Sequence, residues 1–203
     1  GSIVALPPED HLPRREHKMT AAGKALPGVE LKIIDEDGNT LPPGEIGEVA
    51  IRSPNNTRGY WNKPEESAKA LIGDGWLRTG DAGILDEEGY LYIQDRIKDM
   101  IITGAENVYP AEVESAIYGH PAVLDVAVIG VPDPKWGEAV KAMVVLKPDA
   151  SADEAAIITH ARERIAGFKC PKSVEFIEAL PRNPSGKILR RTLREPFWAG
   201  HER

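Results

Sequence analysis

The sequence of 203 residues contains a single cysteine, Cys170. A chain with one cysteine forms no internal disulfide, and it has no cysteine cluster that could hold zinc or an iron–sulfur centre. Long apolar runs are also absent: the longest, residues 126–131, is far shorter than the roughly 18 residues that suggest a membrane-spanning helix. The sequence therefore predicts no transmembrane segment and favours a reducing, cytoplasmic setting, and it leaves peripheral association with a membrane open.

Basic charge is scarce as well. The chain has 25 Lys and Arg against 32 Asp and Glu, which gives a formal net charge of −7. Proteins that bind nucleic acid usually carry a net basic surface, so we expect no nucleic-acid partner. With 41% hydrophobic and 28% charged residues the composition is that of an ordinary globular protein, which excludes disorder over most of the length.

The chain begins with Gly1-Ser2-Ile3 and has neither an initiator methionine nor a signal-peptide core. Such a start is typical of a cleaved expression tag, so we expect a piece cut from a longer protein. Residues 1–22 are rich in proline, charge and histidine without any period. They are predicted to be a poorly ordered lead-in rather than a regular element.

Residues 23–95 show the pattern of a small β-rich unit. Alternating apolar residues and tight turns predict short strands, and Pro64 with the acids after it predicts one short helix to Ile72. We expect a small barrel or sandwich, with a hairpin turn at residues 87–89. The strands are predicted at 29–35, 46–51, 83–86 and 90–94.

After Arg96 strands and helices alternate, so we expect a compact α+β domain over residues 99–203, with a joint at 96–98. The complete fold class is then α+β, a barrel-like β subdomain followed by an α+β domain. Ser151 and Glu154 form a candidate capping box for a helix to about Ala166, and Ser185 is the expected start of a last helix over 186–195. A helix also begins at Pro110, and strands are predicted at 100–103, 123–131, 139–146 and 173–177.

Thr79-Gly80-Asp81 is the first candidate for chemistry. A carboxylate on a short side chain beside a flexible glycine can accept hydrogen bonds from both hydroxyls of a ribose. An isolated tripeptide of this kind is more often a plain turn. The run from Asp95 to Glu114 is more specific, because charge, strand, glycine loop and helix start follow one another in fixed order.

Together these motifs resemble the acyl-CoA synthetase branch of the adenylate-forming enzymes, which includes fatty-acyl-CoA and coumarate-CoA ligases and luciferases. The resemblance extends from about Gly23 to Glu195. It implies that a carboxylic acid reacts with ATP to give an acyl-adenylate and pyrophosphate, and that the acyl group then passes to coenzyme A. The motifs are Gly23-Lys-Ala-Leu-Pro-Gly28, Arg58-Gly-Tyr-Trp61, Gly75-Trp-Leu-Arg-Thr-Gly-Asp81, the run 95–114 and Pro181-Arg-Asn-Pro-Ser-Gly-Lys187.

Two family motifs do not occur in the 203 residues: the phosphate loop that ends in Pro-Lys-Gly and the segment Tyr-Gly-x-Thr-Glu. The resemblance therefore implies a missing amino-terminal domain as the partner of this chain, which carries these motifs and most of the acyl pocket. We expect the complete enzyme to use ATP, Mg²⁺, CoA and a fatty or aryl acid. The fragment alone should bind none of them tightly and should be inactive. The alternatives are transfer of the acyl group to a carrier protein, and a non-catalytic interaction module.

For the nucleotide, the resemblance assigns Asp81 and Arg96 to the AMP ribose and Ile93 to the neighbourhood of the adenosine. A turn acid at Asp81, a surface ion pair of Arg96 with Asp95 or Asp99, and core packing of Ile93 are the alternatives. Lys98 falls at the hinge about which the small domain of the family rotates, a position that requires no particular chemistry.

For the second step, the resemblance places Gly104 and Ala105 on the pantetheine channel and Lys169 near CoA. The family commonly has a second glycine at Ala105, and the added methyl group opposes both positive φ and close approach of pantetheine. A plain turn and a solvated lysine are the alternatives here. Lys187 corresponds to the lysine that neutralises charge between the acid and the α-phosphate, an electrostatic role; its alternative is a basic helix face with Arg190, Arg191 and Arg194. No residue is predicted to bind a metal.

Overall fold

The computed structural model describes residues 2–201, and the chain divides into two compact units. The first unit ends at Lys98 and the second begins at Asp99. Helices and antiparallel sheets occur together, so the predicted α+β class is confirmed. Within residues 2–201 no helix has the length and apolar character needed to cross a bilayer.

The first unit is a seven-stranded sheet in the order β1-β2-β7-β6-β4-β3, with β5 added beside β6. Every neighbouring pair is antiparallel. Ile33, Val49, Ile51 and Leu91 form its buried core. The strands are β1 Val4–Ala5, β2 Gly23–Ala25, β3 Glu30–Ile34, β4 Gly47–Arg52, β5 Leu71–Ile72, β6 Trp76–Leu85 and β7 Tyr90–Arg96, and the helix is α1 Pro64–Ala70.

The first residues differ from the loose lead-in that the composition predicted. Pro8–His11 and Pro13–Lys18 form 3-10 turns, and Gly23 already lies in β2. Asp10 and Lys18 are buried in this segment. The Tyr90 hydroxyl donates to Asp10 Oδ2 at 2.6 Å, and Lys18 Nζ donates to Asp86. These charges meet partners on the distant β6–β7 hairpin, which a local reading of composition does not detect.

The second unit contains a five-stranded sheet in the order β10-β11-β8-β9, in which β12 runs parallel to β11. The strands are β8 Ile101–Thr103, β9 Glu106–Val108, β10 Val123–Asp133, β11 Gly137–Leu146 and β12 Ser173–Phe176. The helices are α2 Pro110–Tyr118, α3 Glu154–Arg162 and α4 Arg190–Trp198.

The central hairpin β10–β11 is covered on both faces. Val126 and Val128 belong to one apolar cluster, which includes residues of α2 and α3, whereas Ala127 and Ile129 belong to a second cluster with Leu193 of α4. Successive side chains of a strand point to opposite faces, so a strand buried on both sides has a continuous apolar sequence. This explains the apolar run that was predicted as a strand.

Two helix starts differ from the prediction. The N-cap of α3 is Asp153, whose Oδ1 accepts from the Ala156 N–H at 2.8 Å, and Glu154 Oε1 instead accepts from the Val174 N–H at 2.9 Å. The Ser151–Glu154 capping box is therefore wrong, and α3 ends at Arg162 rather than near Ala166. The last helix begins at Arg190, so residues 185–189 lie outside it.

Candidate functional site

Asp81 lies in a bulge of β6. On β4, Glu48 lies opposite Ala82 and Ala50 lies opposite Arg78. The single β4 residue between them, Val49, therefore faces three residues of β6, 79–81. Gly80 has a φ of 74° and donates its N–H to Glu48 Oε1 at 2.9 Å. Because a bulge redirects the side chain that follows it, the sequence Thr-Gly-Asp sets where the carboxylate points.

The Asp81 carboxylate and the Arg96 guanidinium lie opposite each other on β6 and β7. Arg96 Nε is 3.3 Å from Asp81 Oδ1, and the two side chains are 56% and 32% exposed. The Arg96 guanidinium thus pairs with Asp81, while its backbone N–H donates to Asp95 Oδ1 at 2.7 Å. A carboxylate offers about four acceptor positions, so this pair leaves capacity for further hydroxyl donors.

Ile93 and Lys98 are both exposed in this structure. Ile93 lies on β7 opposite Gly83 and is 46% exposed, so simple core packing does not account for it. Lys98 is in the short 3-10 turn Ile97–Asp99 and is the last residue of the first unit. Asp99, directly after it, is buried and belongs to the second unit.

Gly104 and Ala105 form the two-residue turn between β8 and β9. Their φ values are 58° and 67°, the positive angles that a type I′ hairpin turn requires at both central positions. The Gly104 N–H donates to the Trp136 carbonyl at 2.9 Å, and a Cβ on Gly104 would lie 2.6 Å from Trp136 Cε3. Glycine at 104 is therefore required by both φ and space, whereas Ala105 occupies an unfavourable backbone region.

Lys169 forms an ion pair rather than being solvated alone. Its Nζ donates to both carboxylate oxygens of Glu112, at 2.8 and 2.7 Å. Glu112 lies in the first turn of α2, where a negative charge is favourable. The side chain of Lys169 is 24% exposed.

Lys187 lies on a short hairpin that precedes α4. Arg182 and Ile188 form a β-bridge, and the Leu189 N–H donates to the Pro181 carbonyl at 2.8 Å. Gly186 adopts a φ of 82° at the tip, and Lys187 is exposed. The predicted helix start at Ser185 is thus replaced by a turn that carries the lysine outside the helix.

The basic helix face that offered an alternative for Lys187 is largely neutralised. Arg190 Nη2 donates to both carboxylate oxygens of Glu114, at 2.9 and 2.8 Å, and Arg194 Nη2 is 3.3 Å from Asp99 Oδ1. Arg191, the most exposed of the three, pairs only within α4 with Glu195 among the interactions described for residues 2–201. Lys187 therefore differs from its arginine neighbours in both position and environment.

Two residues with close contacts to these positions were missed in the sequence. Trp136 packs against Gly104, and Asn183 binds the backbone of Lys187. Asn183 lies within the motif that ends at Lys187, which could have indicated it, whereas Trp136 has no spacing signal because its contact depends on two strands that meet in three dimensions. Of the sequence-predicted residues, the structure brings Asp81 and Arg96 into direct contact.

The sequence matches the AMP-binding enzyme family over residues 1–61 and the AMP-binding enzyme C-terminal domain over residues 112–187. The chain therefore belongs to the AMP-binding enzyme family. The resemblance inferred from the motifs is thereby confirmed.

Particular relatives are similar along most of the chain. A fatty acid–[acyl-carrier-protein] ligase of Streptomyces coeruleorubidus is 48% identical over 203 residues, which are 100% of this chain and 39% of that protein. A long-chain-fatty-acid–CoA ligase of Mycobacterium tuberculosis is 50% identical over 182 residues, 90% of this chain and 36% of the relative.

Among solved structures, the o-succinylbenzoate CoA synthetase of Bacillus subtilis in complex with its acyl-adenylate intermediate matches with a TM-score of 0.86 at 41% identity. That match covers 95% of this chain and 38% of the other. The chain thus spans well under half the length of the relatives it matches.

Proposed function

We propose that these residues are the carboxyl-terminal part of an ATP-dependent acid–CoA ligase, which forms an acyl-adenylate and then an acyl-CoA thioester from a fatty or aryl acid. The observation that carries the proposal is the hairpin at residues 181–189. It presents an exposed ammonium group, that of Lys187, outside a helix whose own arginines are paired. A cation presented in this way is suited to stabilising charge that develops on a reacting group of another domain.

In the proposed enzyme Asp81 accepts hydrogen bonds from the hydroxyls of the AMP ribose. The backbone beside Asp81 is held by the bond from Gly80 to Glu48, and the carboxylate is partly exposed with one cationic neighbour. It can therefore accept hydrogen bonds from two hydroxyl groups. Arg96 would reach the same ribose, and the exposed Ile93 would offer apolar surface to the adenosine. ATP would enter as its Mg²⁺ complex, with its phosphates held mainly by the preceding domain.

Lys187 would act in the first step only. As the acid attacks the α-phosphate, negative charge on the carboxylate and phosphate oxygens must be brought together, and a nearby ammonium lowers the cost. For the second step, Lys98 would serve as the hinge. The turn Gly104–Ala105 would then line the pantetheine path, with Lys169 near the CoA phosphates after release from Glu112.

A second candidate function is transfer of the acyl group to a carrier protein. It is favoured by the 48% identity to a protein described as a fatty acid–[acyl-carrier-protein] ligase. Both functions share the adenylation step and differ in the thiol that accepts the acyl group. Supplying the complete protein with CoA or with a phosphopantetheinylated carrier protein, and measuring which becomes acylated, decides between them.

The proposal is tested by measuring the two half-reactions separately in the complete enzyme with Lys187→Ala. Removal of one well-placed electrostatic group is expected to slow adenylation by roughly 10²–10³. Thioester formation from supplied acyl-adenylate should continue near the wild-type rate. Lys147→Ala, which removes another exposed lysine of the second unit, should leave both rates unchanged. An equal loss in both half-reactions, or no loss in the first, would remove Lys187 from the mechanism.

A further inference from the structure

Lys187 is fixed at both of its backbone groups by one residue, Asn183. The Lys187 N–H donates to Asn183 Oδ1 at 2.9 Å, and the Asn183 N–H donates to the Lys187 carbonyl at 2.9 Å. Ser185 adds two bonds to the same side-chain oxygen, from its N–H at 3.1 Å and from its hydroxyl at 2.8 Å. A single amide oxygen thus closes the tip of the hairpin.

The base of this hairpin is anchored separately. Arg182 Nη1 donates to the Gly186 carbonyl at 2.7 Å, and Arg182 Nη2 lies 2.6 Å from Asp125 Oδ2 on β10. Leu180 and Ile188 belong to the apolar cluster between the sheet and α4. The hairpin base is therefore tied to the core through Asp125 and the apolar cluster, whereas the tip is held by Asn183 and by the bond from Arg182 to the Gly186 carbonyl.

This arrangement matters because the lysine side chain is long and flexible. Four rotatable bonds separate its ammonium group from the backbone, so the reach of the charge depends on where the backbone is held. Pro184, Ser185 and Gly186 are exposed and have no apolar packing of their own in the described clusters. Without the Asn183 oxygen, three donors at the tip would turn to water, and the Lys187 backbone would keep one of its two hydrogen bonds to residue 183, the one from the Asn183 N–H.

We propose that Asn183 is a positioning residue for Lys187: its side-chain oxygen holds the hairpin tip so that the ammonium group reaches the adenylation centre. The inference rests on the proposed role of Lys187 in adenylation. It adds that the rate of this step depends on the place of one hydrogen-bond acceptor that itself contacts no substrate.

Asn183→Asp and Asn183→Gln both keep a polar side chain, and they differ in where the accepting oxygen lies. Asn183→Asp keeps an oxygen in the same place and should retain most of the adenylation rate. Asn183→Gln keeps the amide but moves the oxygen one carbon farther, and Asn183→Ala removes it. Both are expected to slow adenylation about tenfold to a hundredfold, since a misplacement of about 1 Å can cost roughly 10²-fold. The loss should appear in kcat, with little change in the KM for ATP.

The experiment uses the complete enzyme and measures adenylation and thioester formation for these variants, for Lys187→Ala and for the double variant Asn183→Ala/Lys187→Ala. If Asn183 acts through Lys187, the double variant is no slower than Lys187→Ala alone. Arg191→Ala, which removes a nearby exposed charge of α4, is the matched control and should match the wild type.

The outcomes separate the two proposals. Multiplied losses in the double variant, wild-type adenylation by Asn183→Gln and Asn183→Ala, or equal loss in both half-reactions would overturn the positioning role while Lys187→Ala still slows adenylation. If Lys187→Ala itself adenylates at the wild-type rate, the proposed function of Lys187 fails and this inference fails with it. Should Asn183→Ala unfold, the comparison of Asn183→Gln with Asn183→Asp carries the test.

Discussion

Ala105→Gly is expected to stabilise the second unit. Ala105 has a φ of 67°, within the left-handed region that costs a residue with a Cβ roughly 1–2 kcal/mol. Glycine removes this cost but gives the unfolded chain more freedom, which offsets roughly 0.4–1 kcal/mol. From the middle of both ranges, the expected net gain in the free energy of unfolding is about 0.8 kcal/mol.

The adjacent glycine supplies a matched control of opposite sign. Gly104→Ala would introduce the same left-handed cost and would also place its Cβ 2.6 Å from Trp136 Cε3. A contact that short forces the indole or the turn to move, so a loss of more than about 2 kcal/mol is expected. The two substitutions differ by one position in the same turn and exchange the same two amino acids.

The assay is native-state hydrogen exchange of buried amides in β10 and β11, which reports the free energy of unfolding of the second unit. Slower exchange in Ala105→Gly and faster exchange in Gly104→Ala would agree with the strain argument. Unchanged or faster exchange in Ala105→Gly would refute it and would show that the alanine methyl group makes compensating contacts.

Two further predictions follow from the chain itself. The purified chain of 203 residues should catalyse no pyrophosphate exchange with ATP and any acid, because the phosphate-loop motif is not in its sequence; measurable exchange would contradict this. Burial, followed by the charges of Arg164 and His120 and opposed by Glu163, lowers the pKa of His160 below its ordinary value of 6.5. Its contribution to stability is therefore full above pH 6.5 and is lost as the pH falls towards the folded pKa. His160→Gln should reduce the dependence of the unfolding free energy on pH between pH 6.5 and 5. An unchanged pH dependence would exclude His160 as its cause.

Local periodicity was sufficient for the framework of the fold. The strands β3, β4 and β7 lie within two residues of the bounds that their alternating sequences predicted, and β10 and β11 are apolar because both faces are covered. Helix α2 was predicted from Pro110 and the apolar residues after it, and it begins at that residue.

Contacts between distant parts of the chain account for what the sequence did not reveal. In the lead-in, Asp10 and Lys18 pair with residues that lie 80 and 68 positions later. At α3, Asp153 is the cap while Glu154 binds the Val174 N–H, so the local Ser–Glu pattern was misleading. Such choices between partners depend on which strand arrives next to a helix end, and no local pattern encodes that.

In the candidate site, the family motifs identified the residues, but they did not predict the local structure that positions them. The motif containing Lys187 was recognised, but its hairpin was mistaken for a helix start because Pro-Ser-Gly resembles a cap. The bulge that aims Asp81 depends on Glu48, which lies on a neighbouring strand. Trp136 meets Gly104 only because β8 and β11 are neighbours at that point of the sheet.

We propose that the complete protein activates a carboxylic acid as its acyl-adenylate and transfers the acyl group to CoA with release of AMP. The most direct measurement supplies that protein with ATP, Mg²⁺, CoA and a panel of fatty and aryl acids and quantifies AMP and acyl-CoA together. We predict that AMP and acyl-CoA form in equal amounts with at least one acid of the panel. A protein that neither binds nor turns over ATP, or that releases ADP instead of AMP, would contradict the account.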